Sequence, residues 1–237
     1  MLIVSGGNYD VSSNIKSWLL VSTVVAALCA GATAAQAGGG GGSGEERTAC
    51  PVAHGALVQQ LRAAVAAVGS LHMWGAVVNR DGVVCAIGFS GADRNAQFPV
   101  SRVISAAKAF TANGLSLDGS PLSTAQVYGA TQPRASLFGL ADGNPVDAAA
   151  AYRGPTTRFG TASDPLVGKR IGGTITFGGG VSLFTGGTTV VGGIGVSGDT
   201  ACADDDVVRE LRKRLGLVPS ASDTASFGPG AGQHPTC

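Results

Sequence analysis

The most suggestive spacing in the chain lies near its C-terminus, where an apolar run over 188–197 leads into Gly193-x-Gly195-x-x-Gly198. With a helical pattern following over 203–215, this imitates the glycine turn that cradles the pyrophosphate of a dinucleotide. That chemistry needs more than glycines. It requires a βαβ unit, a second strand, and an acidic residue about 20 positions further on to hold a ribose. After the helix only residues 218–237 remain, rich in Ser, Gly and Pro. Asp199, Asp204, Asp205 and Asp206 would also set carboxylates where a pyrophosphate should sit. Strand and helix are therefore expected to be the last elements of a small antiparallel domain. The serines give no better nucleophile. Gly88-x-Ser90-Gly91 and Gly195-x-Ser197-Gly198 both miss the GxSxG pattern, and no histidine lies near either in sequence. The aspartate run lacks EF-hand spacing and reads as helix capping, so no metal site is expected.

Positioning any site falls to a short series of elements. Leu57, Leu61, Val65 and Val68 recur at helical spacing over 54–68, and Gly69 ends that helix. Two β-rich runs, 74–78 and 83–89, flank Asn79-Arg80-Asp81-Gly82, whose Asp-Gly pair suits a tight hairpin. Pro99 precedes a second helix over 101–113, striped by Val103, Ala107 and Phe110. Residues 115–170 are irregular, with Pro121, Pro133, Pro145, Pro155 and Pro165 and short helical candidates at 123–128 and 146–152. So long an irregular excursion suggests a lid or a binding wall. Three further strands are predicted at 173–177, 181–184 and 190–197, before the helix over 203–215. The order implies one α/β (α+β) domain, with helices packed on a five-stranded antiparallel sheet.

Composition narrows the possibilities. The chain has 237 residues, 44% of them hydrophobic and 13% charged, enough for one domain with a substantial core. Sixteen basic against 15 acidic residues give a net charge of +1, and no basic stripe is interleaved with aromatics, so nucleic acid has no foothold. The nearest basic cluster, Arg209, Arg212, Lys213 and Arg214, is expected on the exposed end of a helix whose buried side carries Val207, Val208, Leu211 and Leu215. At the N-terminus, Lys16, an apolar stretch over 18–30 and Ala35-Gln36-Ala37 fit a signal peptide over 1–37. An uncleaved anchor is the alternative, but the apolar stretch falls short of the ~20 residues a membrane span needs. A Gly-rich lead-in over 38–49, a domain over 50–217 and a tail over 218–237 follow. Secretion or a periplasmic location is expected. Four cysteines then remain, Cys50, Cys85, Cys202 and Cys237, an even number that implies two disulfides in one of three pairings.

Several pieces of local wording resemble one known family. Ala76-Val-Val-Asn-Arg-Asp-Gly82, Ala106-Ala-Lys-Ala-Phe-Thr-Ala112, Phe177-Gly-Gly-Gly-Val181 and Val191-Gly-Gly-Ile-Gly-Val-Ser-Gly198 resemble the GlcG/HbpS-like haem-binding family, also seen as the PduO C-terminal domain type. The resemblance covers residues 53–217. It implies a profilin-like layer, frequent homo-oligomerisation, and binding of haem or a related planar ligand. Two departures stand out. The acidic EXXE iron motif of some relatives is absent, because the only glutamates are Glu45, Glu46 and Glu210. Phe177, Gly178 and Gly179 stand where relatives commonly carry Pro-Gly-Gly.

Haem iron takes His, Cys, Met or Tyr as ligand. Among His54, His72 and His234, His72 is best placed, immediately before the first strand, although a solvated strand-end histidine is the plainer alternative. Tyr128 and Tyr152 are other axial candidates. The resemblance falls on Lys108, and with Arg102 and Arg94 it supplies cations suited to haem propionates. A lysine snorkelling to water is the simpler account of Lys108. Phe177, Gly178 and Gly179 complete the expected ligand contacts. The reading is an exported haem-binding protein that holds its ligand between the sheet's helix-bearing region and the 115–170 wall. An enzyme that degrades haem or acts on a small oxo-acid, and an assembly module without ligand, are the rivals.

Overall fold

Hydrogen bonding decides which of the extended runs become a sheet. The computed structural model describes residues 48–230 and 233–237, so the predicted signal segment 1–37 and nearly all of the lead-in lie outside the described residues. The regular elements are α1 (His54–Val68), β1 (Trp74–Asn79), β2 (Val84–Phe89), α2 (Ser101–Leu115), α3 (Ala148–Ala151), β3 (Gly180–Thr185), β4 (Thr189–Ser197) and α4 (Ala201–Arg214). β1 and β2 form the predicted hairpin, closed by the Gly82 N–H on the Asn79 carbonyl at 2.9 Å. β4 pairs antiparallel with both β1 and β3, so the sheet runs β2-β1-β4-β3.

Among the described residues four strands form where the sequence predicts five. The run over 173–177 does not join the sheet. Gly172 and Gly173 have φ of +61° and +87°, which turns the chain away from an extended ladder. Its hydrogen bonds go elsewhere: Thr174 N–H to Asn144 O at 3.1 Å and Ile175 N–H to Thr111 Oγ1 at 2.9 Å. The helical candidate over 123–128 is a series of turns, and that over 146–152 shrinks to α3, capped by the Asp147 carboxylate. The outcome is a mixed α+β fold with four α-helices among the described residues.

Strand periodicity sorts the core onto two faces. Met73, Val77, Ile194 and Val196 face α1 and α4 through Leu57, Leu61, Val207, Val208 and Leu211. Trp74, Ala76, Val78 and Ile87 face the opposite way, onto Val103, Ala106 and Ala109 of α2 and onto Ala151, Leu166 and Ile171 of the wall. Both sheet edges are covered. Val84 exchanges hydrogen bonds with Lys169 and Gly168, and the Phe184 N–H donates to Leu217 O. Disulfides join Cys50 to Cys85 and Cys202 to Cys237, with Cα separations of 5.6 and 5.9 Å. No helix among the described residues is long and apolar enough to cross a membrane.

Candidate functional site

His54, Val58 and Arg62 recur every four residues, so they line one face of α1. Opposite them stand Phe89 at the end of β2, the loop carrying Asp93 and Arg94, and wall residues 157–162. Together they bound an open cleft of about 520 Å³, within the range of roughly 300–1,000 Å³ usual for small-molecule sites. His54 Nε2 lies 3.1 Å from the Gly160 carbonyl. A carbonyl oxygen only accepts, so Nε2 carries the proton, which in the neutral ring leaves the lone pair on Nδ1. The Arg62 Nε–H donates to Ser90 O at 3.2 Å. Among the described residues neither Arg62 nor Arg94 forms an ion pair, and both are exposed. Phe89 stacks on buried Trp74 with ring centroids 4.7 Å apart. A cleft with one imidazole lone pair, two cations and the rings of Phe89 and Phe159 suits a flat, apolar ligand that carries carboxylates.

One wall of the cleft is fastened by an internal ion pair. Arg102 is buried in α2 and grips Asp164 through both Nε, at 2.9 Å from Oδ2, and Nη2 on Oδ1. Its Nη1 donates to Ala151 O at 3.0 Å, and its guanidinium lies 3.7 Å over the Phe159 ring. Asp164 also accepts the Gly160 and Leu166 N–H groups, each at 2.8 Å. With its lone pairs so engaged, the carboxylate ties the wall to α2.

Lys108 neither snorkels to water nor lines the cleft. Its side chain is fully buried and its ammonium lies 2.6 Å from Asp204 Oδ2 and 3.1 Å from Val196 O. Burial pushes the Lys108 ammonium below the ordinary lysine range, against the attraction of Asp204. Burial likewise raises the Asp204 carboxyl, against the pull of Lys108. Phe177 covers the pair, its ring centroid 4.8 Å from Lys108 Nζ. Gly179, at φ +109°, passes so close that a Cβ there would stand 2.8 Å from that nitrogen. The Gly178 N–H donates to His234 Nε2 at 3.1 Å, and His234 is itself flanked by Tyr128 and Phe227. Lys108, Phe177, Gly178 and Gly179 are thus brought together around Asp204, with His234 as a neighbour.

Arg94 is the one expected contact that lines the cleft. His72 is exposed beside it, with Nδ1 3.3 Å from Ser90 Oγ and its ring edge-on to Phe89. His54, which ranks below His72 in the sequence, and Arg62, which the sequence does not single out, line the cleft as well. Their shared signal is the i, i+4, i+8 face they make with Val58, which reads equally well as an ordinary solvated stripe.

The basic end of α4 is less exposed than expected. Arg212 is buried, and with Arg209 it clamps Asp223 of the C-terminal segment: Arg209 Nη1 lies 2.9 Å from Oδ1 and Arg212 Nη2 2.7 Å from the same oxygen. Burial alone would raise the Asp223 carboxyl, but the two guanidiniums outweigh it and hold it below the ordinary 3.8. A depressed carboxyl contributes stability above its unfolded value and loses it as pH falls through the folded one. Thermal midpoints are therefore expected to drop on acidification below about pH 4. Asp223→Asn should be less stable at neutral pH and show a shallower acid limb, and identical limbs would refute this role.

Fold and cleft together are those of a mixed α+β domain with a preformed cleft of small-molecule size. The family model described as "Haem degrading protein HbpS-like" matches residues 56–212, and the chain belongs to that family. No curated protein matches the chain. Among solved structures, Klebsiella pneumoniae protein ORFY is 26% identical over 69% of this chain and 90% of its own, with a TM-score of 0.46. A structure described as a PduOC:haem complex is 19% identical, covering 68% and 89%, with a TM-score of 0.47. HbpS is 22% identical, covering 70% and 90%, with a TM-score of 0.45.

Proposed function

We propose that this chain binds haem, or a tetrapyrrole of like shape and charge, in the cleft between α1, the Arg94 loop and the 157–162 wall. The observation that carries the reading is the donor set: a histidine with its Nδ1 lone pair uncommitted and two arginines free of ion pairs among the described residues, beside two phenylalanine rings. Family membership favours haem over other flat carboxylates. When bound, haem would supply an iron centre that accepts a nitrogen ligand. His54 would offer Nδ1 to it, Arg62 and Arg94 would receive the propionates as charge-assisted hydrogen bonds, and Phe89 and Phe159 would exclude water from the macrocycle. The two disulfides suit an oxidising compartment, in keeping with export.

Haem titration followed by visible absorbance tests the reading, with quenching of Trp74 fluorescence as a second signal. Trp74 underlies Phe89, and the chain's only other tryptophan is Trp18. Arg62→Ala and Arg94→Ala are each expected to weaken binding about 5-fold, or roughly 1 kcal/mol. His54→Ala should shift the absorbance band. Curves for all three that superimpose on the parent would eliminate this cleft as the site. Incubating the complex with a reductant and oxygen separates holding from degradation: a persistent macrocycle spectrum is expected, and its loss with product formation would make the protein an enzyme.

A further inference from the structure

The ion pair that fastens the wall ends on the histidine of the cleft. Asp164 Oδ2 accepts the Arg102 Nε–H at 2.9 Å and the Gly160 N–H at 2.8 Å, while the carbonyl of that same Gly160 accepts the His54 Nε2–H at 3.1 Å. Arg102 and Asp164 are almost completely buried. Gly160 has little freedom of its own. Its φ is +79°, and a Cβ there would stand 3.1 Å from the Trp74 ring and 3.3 Å from Phe89. The residue is thus held on one side by the Asp164 carboxylate and on the other by the aromatic floor of the cleft.

We infer that Arg102 and Asp164 are positioning residues for His54, acting through Gly160 to fix the imidazole as the Nε2–H tautomer with its lone pair on Nδ1. Resting as it does on the proposed function, the inference assigns the pair the part that outer hydrogen-bonding groups play at metal-binding histidines, where the second ring nitrogen donates to a carbonyl or carboxylate. The physical step is plain. A neutral imidazole in water exchanges its proton between the two nitrogens, and a fixed carbonyl at one of them selects a single form. The carbonyl is fixed because its residue's N–H is tied to the buried Asp164 carboxylate, and that carboxylate is gripped at both oxygens by the planar fork of Arg102.

Nitrogen NMR of the His54 ring in the haem-free protein, at a pH of about 8 where imidazoles are neutral, reads the tautomer directly. His54→Gln assigns the resonance. The parent is expected to show the Nε2–H form alone. Asp164→Asn leaves Arg102 without its charge partner and so threatens the fold; Arg102→Met combined with Asp164→Leu removes both charges, keeps the volume, and leaves the Gly160 N–H without its acceptor. In whichever of these folds, judged by near-UV circular dichroism, the single-tautomer signature should be lost to a mixture. An unchanged Nε2–H form in a folded variant overturns the inference, as does a mixture already present in the parent. The readout needs no haem, so a parent that fails to bind haem would sink the functional reading alone.

Discussion

Lys108→Ala is expected to lower global stability by about 3–5 kcal/mol, the usual cost of orphaning one member of a buried ion pair. The Lys108 ammonium is held by Asp204 Oδ2 at 2.6 Å and by Val196 O at 3.1 Å, with no access to solvent. Without it, the Asp204 carboxylate would keep only the Asp199 N–H, at 3.1 Å from Oδ1, while still excluded from water. Denaturant unfolding measures the loss as a lower midpoint at similar slope. Lys108→Met with Asp204→Leu should recover most of it, because the attraction and the desolvation of both charges disappear together. The pH dependence carries the same signature. A lysine held below its ordinary value costs stability as pH falls below 10.5, and a carboxyl held above its ordinary value costs stability as pH rises past 3.8. The apolar pair should lose both slopes. An alanine variant with the parent's midpoint would mean that the pair is not sequestered as its geometry requires.

Much of the fold is legible in the sequence because its signals are local. The periodicity of Leu57, Leu61 and Val65 gives α1 its observed span of His54–Val68, and the Asp81-Gly82 pair marks the hairpin that forms. What escapes depends on partners remote in sequence. Lys108 and Asp204 are 96 positions apart, and Arg102 and Asp164 are 62 apart. An isolated cation on an amphipathic helix gives no sign that a distant carboxylate will meet it, so both read as surface groups free to greet a ligand. The disulfides illustrate the same limit, since four cysteines allow three pairings and only the folded chain selects Cys50 with Cys85. The missing fifth strand has a local cause that is visible as glycine but not as angle. Gly172 and Gly173 sit at the start of a β-rich run, and their positive φ diverts it. His54 looks a poor ligand candidate at a helix start, yet that position lets it meet the wall at Gly160.

Gly195→Ala is expected to unfold the protein or to cost it at least about 3 kcal/mol, at the upper end of overpacking penalties, because the new methyl group would meet backbone rather than a yielding side chain. Along β4 the side chains alternate: Ile194 and Val196 enter the core with α1 and α4, while Gly193 and Gly195 turn to α2. A Cβ on Gly195 would stand 2.6 Å from the Ala109 nitrogen and closer still to the Ser105 carbonyl, and one on Gly193 would strike the Ala109 carbonyl. Two of the three glycines that imitate a phosphate-binding turn, Gly193 and Gly195, therefore form a period-two groove in which α2 lies against the sheet. Relief requires moving α2 as a body, and Arg102 and Lys108 ride on that helix with their ion pairs. Gly114→Ala supplies the contrast. Gly114 lies in the last turn of α2 with an ordinary φ, and a methyl group added there would find nothing within 4 Å, so alanine should raise stability by about 0.5–1 kcal/mol. Thermal or denaturant unfolding of the two variants should move in opposite directions. A tolerated alanine at 195 would show that α2 has room to lift, and with that the rigid placement of Arg102 behind the cleft wall would fail as well.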